Sequence, residues 1–427
     1  MYSDKKTLPL AMIGCGGYAA HLIEAISELP DVCKLLAVTT PVPDDPAAQT
    51  CREKGLTVYN SADELFENLT PETCSAVMIP TSIDSHYEYA RKAVARGFHV
   101  LLEKPPVATI QDLDRLIDLQ RESGKFISVN FQHLFNPMTQ KLKAEIAAGE
   151  FGAIRKVAAR ALWMRPESYF TRSHWSGRLQ IDGRWVLDGT VGNPLAHLLA
   201  EALYLASPET GMATPANVQA ELYHANGIES EDTSCLRVKT KEGVPVFFTA
   251  SLCSRTSAPV LCEVETERAV IRLVNYFQLE IIWNDGRVEK VETPDNDNRL
   301  DRRIMLKAVA ESLTNNERPL ITVEECRPYM LAWNGAFESF GVPSGIDADA
   351  LYTTETAHGT TRCIQDIQAL CEQACARTSL FSGLGVSWAK SGLPVDLDGY
   401  SRFPSINRSL DNRSTGRIAP RRTGVMA

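Results

Sequence analysis

Short apolar runs alternate with longer amphipathic segments over the first 130 residues of the chain. Each run has the length of a buried strand, and each amphipathic segment has the spacing of a helix that packs on one side. This alternation predicts an α/β unit built on a doubly wound, mainly parallel sheet. The predicted strands are Leu8–Ile13, Lys34–Thr39, Ala76–Ile79, Phe98–Leu102 and Phe126–Asn130, and the predicted helices are Tyr18–Leu29, Ser61–Asn68, Asp84–Arg96 and Ile110–Ser123.

The pattern changes after about residue 150, where strands follow one another without helices between them. Hairpin signals such as Asn284-Asp285-Gly286 separate them, which indicates a mainly antiparallel sheet. Helices are predicted on one face of this sheet, and the other face is expected to be free for a partner. The predicted strands are Ile154–Trp163, Val218–Tyr223, Ser234–Thr240, Val244–Leu252, Val260–Val264, Ala269–Val274, Leu279–Trp283 and Arg287–Val291, and the predicted helices are Leu195–Leu205, Leu300–Thr314, Val323–Phe340 and Tyr352–Ala376.

Composition and charge narrow the function classes. The chain has 427 residues, of which 44% are hydrophobic, and a net charge of −9. A mildly acidic protein has no electrostatic reason to bind nucleic acid, and no apolar run reaches the roughly 18 residues of a membrane helix. The N-terminus lacks the apolar core of a secretory signal. The eleven cysteines form no CxxC pair, so we expect reduced thiols, no metal site and a cytoplasmic protein.

A glycine-rich motif, Gly14-Cys15-Gly16-Gly17-Tyr18-Ala19, follows the first strand and begins the first helix. Gly14 allows a tight turn, Gly16 lets the backbone approach a pyrophosphate, and Ala19 lets the helix pack closely on the strand. The free N–H groups at the helix N-terminus favour an anion. We therefore expect a dinucleotide, NAD or NADP, at this turn.

The end of the second strand does not distinguish NAD from NADP. An acidic residue normally binds the ribose 2′-OH of NAD there, but this strand ends at Thr39 and Thr40. The first acidic residues, Asp44 and Asp45, lie beyond two prolines, and no arginine follows the threonines to bind a 2′-phosphate. The sequence leaves both nucleotides open.

A second motif, Glu103-Lys104-Pro105, stands at the end of the predicted strand Phe98–Leu102. Ligands bind beyond the carboxyl ends of the strands of a parallel sheet. A lysine at that edge is poorly placed for burial without a partner. We expect Lys104 to face a ligand.

These motifs together resemble the Gfo/Idh/MocA oxidoreductases, which include glucose–fructose oxidoreductase and inositol dehydrogenase. The order and spacing of the glycine motif, residues 76–81 with His86, residues 99–105 and residues 131–137 carry the resemblance. It implies a Rossmann domain that holds NAD(P) and a second domain that holds a sugar or cyclitol. The expected cofactor contacts are Gly14, Gly16, Gly17, Tyr18, Ala19, Thr39, Thr40, Pro80, Thr81, His86, Glu103, Lys104 and Gln132.

The resemblance also implies the catalytic residues. Lys104 matches the lysine that bonds to the substrate oxygen, and His197 matches the family's acid/base histidine. The family often carries an aspartate four residues before that histidine, whereas this chain has Asn193 there and Asp188 nine before. Asparagine can orient a hydroxyl but cannot accept a proton. We expect Lys104 and His197 to form the acid/base pair, since both residue types can titrate near neutrality.

Aromatic and arginine residues are concentrated between Trp163 and Arg178. Aromatic rings stack on the C–H faces of sugars, and guanidinium groups bind hydroxyls or carboxylates. This composition favours a sugar site, the arginines indicate an acidic sugar or a phosphate, and a solvated loop is the alternative. The expected substrate contacts are His133, Arg165, Tyr169, Arg172 and Trp175, together with Lys104, Asn193 and His197.

The predicted organisation is a Rossmann domain over residues 1–135, an α+β domain over residues 136–345 and a C-terminal helix with a basic tail over residues 346–427. Residues 404–427 carry five arginines and one aspartate, which predicts a solvated tail or an arm that wraps another subunit. We expect a homodimer or homotetramer. The leading function is hydride transfer between a nicotinamide and a ring hydroxyl. The alternatives are a redox-assisted glycosidase or lyase that retains NAD, and a non-catalytic nucleotide-binding protein.

Overall fold

The computed structural model describes residues 7–42, 44–292 and 298–405. In this part of the chain the first sheet has six parallel strands in the order β3-β2-β1-β4-β5-β6. Its strands are β1 (Leu8–Met12), β2 (Cys33–Thr39), β3 (Thr57–Tyr59), β4 (Ala76–Ile79), β5 (His99–Leu102) and β6 (Ile127–Val129), and its helices are α1 (Tyr18–Ser27), α2 (Pro46–Glu53), α3 (Ala62–Asn68), α4 (Ile83–Ala95) and α5 (Ile110–Ser123). The order reverses between β1 and β4, which creates a crevice at their carboxyl ends. The predicted parallel sheet is confirmed.

Local sequence signals fix the helix ends in this first sheet. The Ser61 hydroxyl accepts the Glu64 N–H at 3.1 Å, as in a capping box, whereas the Glu64 carboxylate accepts the N–H of Asn60, one residue before the N-cap, at 2.7 Å. Helix α5 begins after Thr109, whose hydroxyl accepts the Asp112 N–H, and ends at Gly124, whose φ is 66°. These caps set the residues at which α3 and α5 begin.

The second sheet is larger and mainly antiparallel. Its order is β16-β15-β14-β13-β7-β12-β11-β10-β17, with β20 also paired to β10. Its strands are β7 (Ile154–Met164), β10 (Pro215–His224), β11 (Thr233–Thr240), β12 (Pro245–Ser251), β13 (Cys253–Thr266), β14 (Ala269–Val274), β15 (Gln278–Trp283), β16 (Val288–Glu292), β17 (Ser344–Gly345) and β20 (Val395–Asp396). The other α-helices are α6 (Pro137–Ala147), α7 (Ala196–Ala206), α8 (Asn298–Thr314), α9 (Arg327–Phe340) and α10 (Ile367–Arg377). The other strands form two hairpins, one of β8 (Gln180–Ile181) and β9 (Arg184–Trp185) and one of β18 (Leu351–Thr356) and β19 (Gly359–Ile364).

Two helices cover one face of the second sheet and join it to the first. Helix α7 is buried along its whole length, because all its residues except His197 and Glu201 are apolar or aromatic, and it packs on β7, β12 and β13. Helix α9 packs on β10 and on α5. In α9, Asn334 accepts the Ile110 N–H at 2.8 Å and donates to the Ala108 carbonyl at 2.9 Å. The catalytic candidate His197 therefore lies on a buried helix beside the nucleotide domain.

The predicted helix Tyr352–Ala376 is wrong in its first half. Strands β18 and β19 form a hairpin there, and the helix is α10, which begins only at Ile367. The hairpin turns at Gly359, whose φ of 107° favours glycine. Threonines at 353, 354, 356, 360 and 361 favour strands because they are β-branched. Only the segment after residue 366 is helical.

The other face of the second sheet is not free, contrary to the prediction. The C-terminal segment covers its apolar half: Ile364, Ile367, Phe381 and Trp388 belong to the same buried cluster as Tyr223 of β10. Apolar sheet positions require such a cover. Further along this face the strands carry a row of cross-strand ion pairs, Lys156–Glu265, Arg272–Glu263, Arg272–Glu280 and Lys290–Glu280.

The chain then returns to the first domain. Phe403 is buried and packs against Trp185 and Phe337, and its backbone exchanges two hydrogen bonds with the Gln111 side chain. The basic tail predicted beyond this point lies, from residue 406 on, outside the described residues. Among the residues that the structure describes, no helix is both long and apolar enough to span a bilayer.

Candidate active site

The glycine turn lies at the crevice where the strand order reverses. The Gly14 N–H donates to the Thr39 hydroxyl at 3.1 Å, so the ends of β1 and β2 are tied together. Gly14 and Gly17 have φ values of 109° and 58°, which side chains with a Cβ rarely adopt. Helix α1 begins at Tyr18 without a side-chain hydrogen bond at its N-cap. The Ala19 and Ala20 N–H groups donate to the Gly16 and Gly17 carbonyls at 3.2 and 3.3 Å, and no side chain caps this helix end in place of an anion.

A cavity of about 600 Å³ extends from this turn to the second domain. Residues of both domains line it, so a ligand held by the first domain would contact the second. The lining residues are Gly14, Cys15, Gly16, Gly17, Tyr18, Pro80, Thr81, Ser82, Ile83, Glu103, Lys104, Tyr169, Arg172, Ser173, Trp175 and Asn193. The structure thus brings the glycine motif, Lys104, Asn193 and three predicted substrate contacts to one space.

Lys104 lies in the wall of this cavity, and its amine is held by one residue of the second domain. The amine donates to the backbone carbonyl of Asn193 at 2.7 Å and to the Asn193 side-chain oxygen at 2.9 Å. Burial lowers the pKa of Lys104 to about 8, and Arg172 adds to this effect, while Glu103 and Asp188 oppose it. A lysine with such a pKa can release and accept a proton near neutral pH.

Asp188 lies directly behind Asn193. The Asn193 amide N–H donates to Asp188 Oδ1 at 2.7 Å. Asp188 Oδ2 accepts the Gly177 N–H at 2.8 Å and lies 3.4 Å from the Arg172 guanidinium. The Asp188 carboxylate is buried, so these donors balance its charge inside the protein.

His197 is buried one layer behind the cavity wall and is not among the lining residues. Its ring packs edge-on against His133, with ring centroids 4.8 Å apart, and against Phe131 at 5.7 Å. Its Nδ1 has no hydrogen-bond partner among the described residues. Burial, with the charges of His133 and Lys104, holds the pKa of His197 well below its usual value. The imidazole is therefore neutral at physiological pH.

Two other predicted histidines also lie outside the cavity lining. His133 Nδ1 is 2.5 Å from Asp301 Oδ2, and its ring stacks on Tyr276 at 3.7 Å. The ring nitrogens of His86 lie 2.9 Å from the Pro105 carbonyl and 3.1 Å from the Thr81 carbonyl. His86 thus connects the loop of Lys104 to the loop after β4, and it acts on the site through the backbone.

Of the two arginines predicted to contact the substrate, one lines the cavity and the other does not. Arg172 lines the cavity, and its guanidinium lies over Tyr169 at 4.0 Å and over Trp175 at 5.1 Å. Arg165 lies over Trp163 and Tyr169 but is not among the lining residues. Stacked guanidinium groups are rigid donors, so Arg172 is the arginine of this segment that a ligand in the cavity would reach.

The residues around the glycine turn fit a dinucleotide. Burial raises the pKa of Tyr18, while Arg302 and Gln132 lie beside its hydroxyl and their side chains favour its ionised form. The Gln132 side-chain oxygen is buried and has no hydrogen-bond partner among the described residues, which leaves it free to accept from a ligand. Thr40 bonds to its own turn at Val42. The helix N-terminus without a side-chain cap, the positive-φ glycines and this acceptor together suit a ligand that carries both phosphates and an amide donor.

Two domain models match this chain. Residues 8–131 match the model described as "Oxidoreductase family, NAD-binding Rossmann fold", and residues 139–272 match "GFO/IDH/MocA C-terminal domain". The chain belongs to the Gfo/Idh/MocA family. The predicted resemblance is confirmed, and the protein is an oxidoreductase with an NAD(P)-binding Rossmann domain.

Relatives of this Gfo/Idh/MocA oxidoreductase include sugar dehydrogenases. It is 24% identical over 312 residues to D-xylose 1-dehydrogenase (NADP(+)) 2 of Haloferax volcanii, which covers 71% of this chain and 89% of that protein. It is also 32% identical to D-glucoside 3-dehydrogenase of Escherichia coli over 117 residues, and this alignment covers 27% of this chain and 32% of that protein. Levoglucosan dehydrogenase in complex with NADH has the same fold, with a TM-score of 0.68 at 15% identity over 78% of this chain and 96% of the other.

The sequence did not assign roles to several residues of this Gfo/Idh/MocA site. Asp188 contacts Asn193, and Arg302 and Asp301 approach from α8. Asp45 Oδ2 lies 3.8 Å from the place that a Cβ on Gly16 would occupy. The sequence could have predicted the position of Asp45, because an aspartate before a proline and an alanine is typical of a helix N-cap. The other three have no motif of their own.

Proposed function

We propose that this protein transfers a hydride between the nicotinamide of NAD(P) and a ring hydroxyl or keto group of a sugar, sugar acid or cyclitol, with Lys104 and His197 as its acid/base pair. The single observation that supports this most is the position of the Lys104 amine. It lies in a cavity that begins at a dinucleotide-type glycine turn, and a residue of the other domain holds it.

The proton chemistry follows from that position. When an alcohol is oxidised, the carbon loses a hydride and the oxygen loses a proton, so a carbonyl forms. A bound nicotinamide supplies the hydride acceptor. The neutral Lys104 amine takes the proton, and its two hydrogen bonds to Asn193 stabilise the ammonium that results. In the reducing direction the ammonium returns the proton to the oxygen.

His197 is proposed as the second member of the pair. Its neutral ring adjoins Lys104 closely enough for the lysine charge to lower its pKa. The unpartnered Nδ1 can donate to or accept from a substrate hydroxyl if side chains in the wall move on binding.

The lining residues support a sugar or cyclitol substrate. Tyr169 and Trp175 offer aromatic surface beside the Arg172 guanidinium. Such a combination binds a ring that has C–H faces and polar edges. The relatives named for xylose, glucoside and inositol oxidation are consistent with this class.

A substrate panel tests the proposal. The purified protein is incubated with NAD⁺ or NADP⁺ and with aldoses, uronic acids, methyl and nitrophenyl glycosides and inositols, and absorbance is followed at 340 nm. Reduced nucleotide that accumulates with a ring-hydroxyl compound supports the proposal. Nitrophenol release without net reduced nucleotide would instead indicate the redox-assisted glycosidase. A bound nucleotide with neither signal would indicate the non-catalytic alternative.

A further inference from the structure

The Asn193 side chain has a fixed orientation because its two ends meet different groups. Its oxygen accepts from the Lys104 amine at 2.9 Å, and its nitrogen donates to Asp188 at 2.7 Å. Rotating the amide by 180° would place N–H groups against the ammonium and oxygen against the carboxylate. Both contacts would then be repulsive, so Asp188 determines which end of the amide faces Lys104.

Asp188 is itself held in place from three sides. It accepts from Asn193, from the Gly177 N–H and from Arg172. Leu187, the residue before it, has a φ of 51°, which a leucine adopts only where its surroundings enforce it. The carboxylate is therefore a fixed buried charge and not a mobile surface group.

We propose that Asp188 is a positioning residue for Lys104, and that it acts through the amide of Asn193. The inference rests on the proposed function of Lys104 as an acid/base. Asn193 is uncharged, so the negative charge that favours the Lys104 ammonium lies one side chain farther from the amine, on Asp188. The Asn193 amide fixes the direction in which the Lys104 amine points, but it cannot carry a proton. The proton therefore stays on the Lys104 amine until the substrate or the solvent accepts it.

Several charged groups determine the proton affinity of Lys104. Glu103 on its own loop and Asp188 on the loop before α7 favour the ammonium, whereas Arg172 opposes it. His197 on α7 also adjoins Lys104. Replacing Asp188 by asparagine removes one favourable charge, releases the amide of Asn193 and leaves the Arg172 guanidinium without this carboxylate. All three changes lower the pKa of Lys104.

The test uses two variants, Asp188→Asn and the exchange Asp188→Asn with Asn193→Asp. The exchange keeps one carboxylate and one amide in the pair, so it retains hydrogen bonding inside the protein. The reactivity of Lys104 with acetic anhydride is measured against pH by mass spectrometry of its peptide, without substrate or nucleotide. Lys143 is the internal control, because burial also lowers its pKa to about 8 and its contacts, the carbonyls of Tyr204 and Ser207, are elsewhere.

We expect Asp188→Asn to move the Lys104 midpoint down by about 0.5 to 1 pH unit, with Lys143 unchanged. The exchange variant, with the carboxylate directly on the amine, restores or exceeds the wild-type midpoint. In turnover at pH 9, where the amine is mostly neutral in both proteins, Asp188→Asn lowers kcat roughly tenfold or more, because the Asn193 amide no longer holds Lys104 in place, and it leaves the KM for nucleotide unchanged.

An unchanged Lys104 midpoint in Asp188→Asn would overturn the proposal. If that variant does not fold, a midpoint in the exchange variant below the wild-type value would overturn it. The labelling result does not depend on turnover. A shifted midpoint in a protein that oxidises none of the panel compounds would therefore uphold the positioning role and contradict only the proposed function.

Discussion

The pH dependence of sugar oxidation follows directly from the environment of Lys104. Its pKa is about 8, compared with the ordinary lysine value of 10.5. The neutral amine is then about 10% of the total at pH 7 and about 90% at pH 9. If proton removal by this amine limits the rate, kcat/KM for oxidation rises about tenfold between pH 7 and pH 9 and then levels off. A lysine of ordinary pKa would give about a 100-fold rise over this range and no plateau below pH 10.

Initial rates at 340 nm over pH 6–10 test this expectation, with the nucleotide saturating and the sugar well below its KM. The rate of the reduction reaction should instead fall above pH 8, because that direction needs the ammonium form of Lys104. His197→Ala should lower the rate but leave the midpoint near 8. A midpoint near 10.5, or a profile that is flat from pH 7 to pH 9 and changes only below pH 6.5, would refute the assignment of the proton to Lys104.

Four further predictions concern other parts of the molecule. An alanine Cβ at position 16 would make only ordinary contacts with the protein, so Gly16→Ala should keep its Tm while calorimetry shows at least a tenfold loss of nucleotide affinity. Since the Asp45 carboxylate adjoins this glycine, NAD⁺ should bind more tightly than NADP⁺, and Asp45→Asn should narrow the difference; equal affinities in the wild type would contradict this. Trp388 is buried against Tyr223, so Trp388→Ala should lower the free energy of unfolding by about 3–5 kcal/mol in urea titrations, and a loss below about 1 kcal/mol would show that the C-terminal cover is not part of the core. Light scattering should give at least twice the chain mass of 47.1 kDa, and a stable particle of the single mass would exclude the expected self-association.

The sequence predicted those parts of the site that depend on local rules. The glycine turn, Lys104 at a strand end and the capping of α3 each follow from short segments whose geometry is nearly independent of the rest of the chain. The pairing of Lys104 with Asn193, 89 residues away, required the family resemblance. Even then the resemblance suggested only that the two residues share a site and did not give the hydrogen bonds between them.

The remaining features depend on tertiary packing. Asp188 reaches Asn193 because the loop after β9 turns back at Leu187, and no periodicity in the sequence encodes that turn. The threonine-rich strand β19 and the helix α10 are adjacent in the sequence, and no proline or glycine between residues 360 and 376 marks a boundary between them. The sequence therefore predicts one helix where the structure has a hairpin followed by a helix. Phe381 and Trp388 lie in a stretch rich in glycine and serine, so their burial on the sheet had no local signal.

The central claim is that the Lys104 amine carries the substrate proton in an NAD(P)-dependent oxidation. The most direct test compares Lys104→Met with Lys141→Met, which removes an exposed lysine on α6, by kcat and by nucleotide affinity. The account predicts that Lys104→Met loses a factor of about 10² to 10⁴ in kcat and binds the nucleotide with little change, while Lys141→Met behaves as the wild type. A Lys104→Met enzyme that retains wild-type kcat would contradict the account.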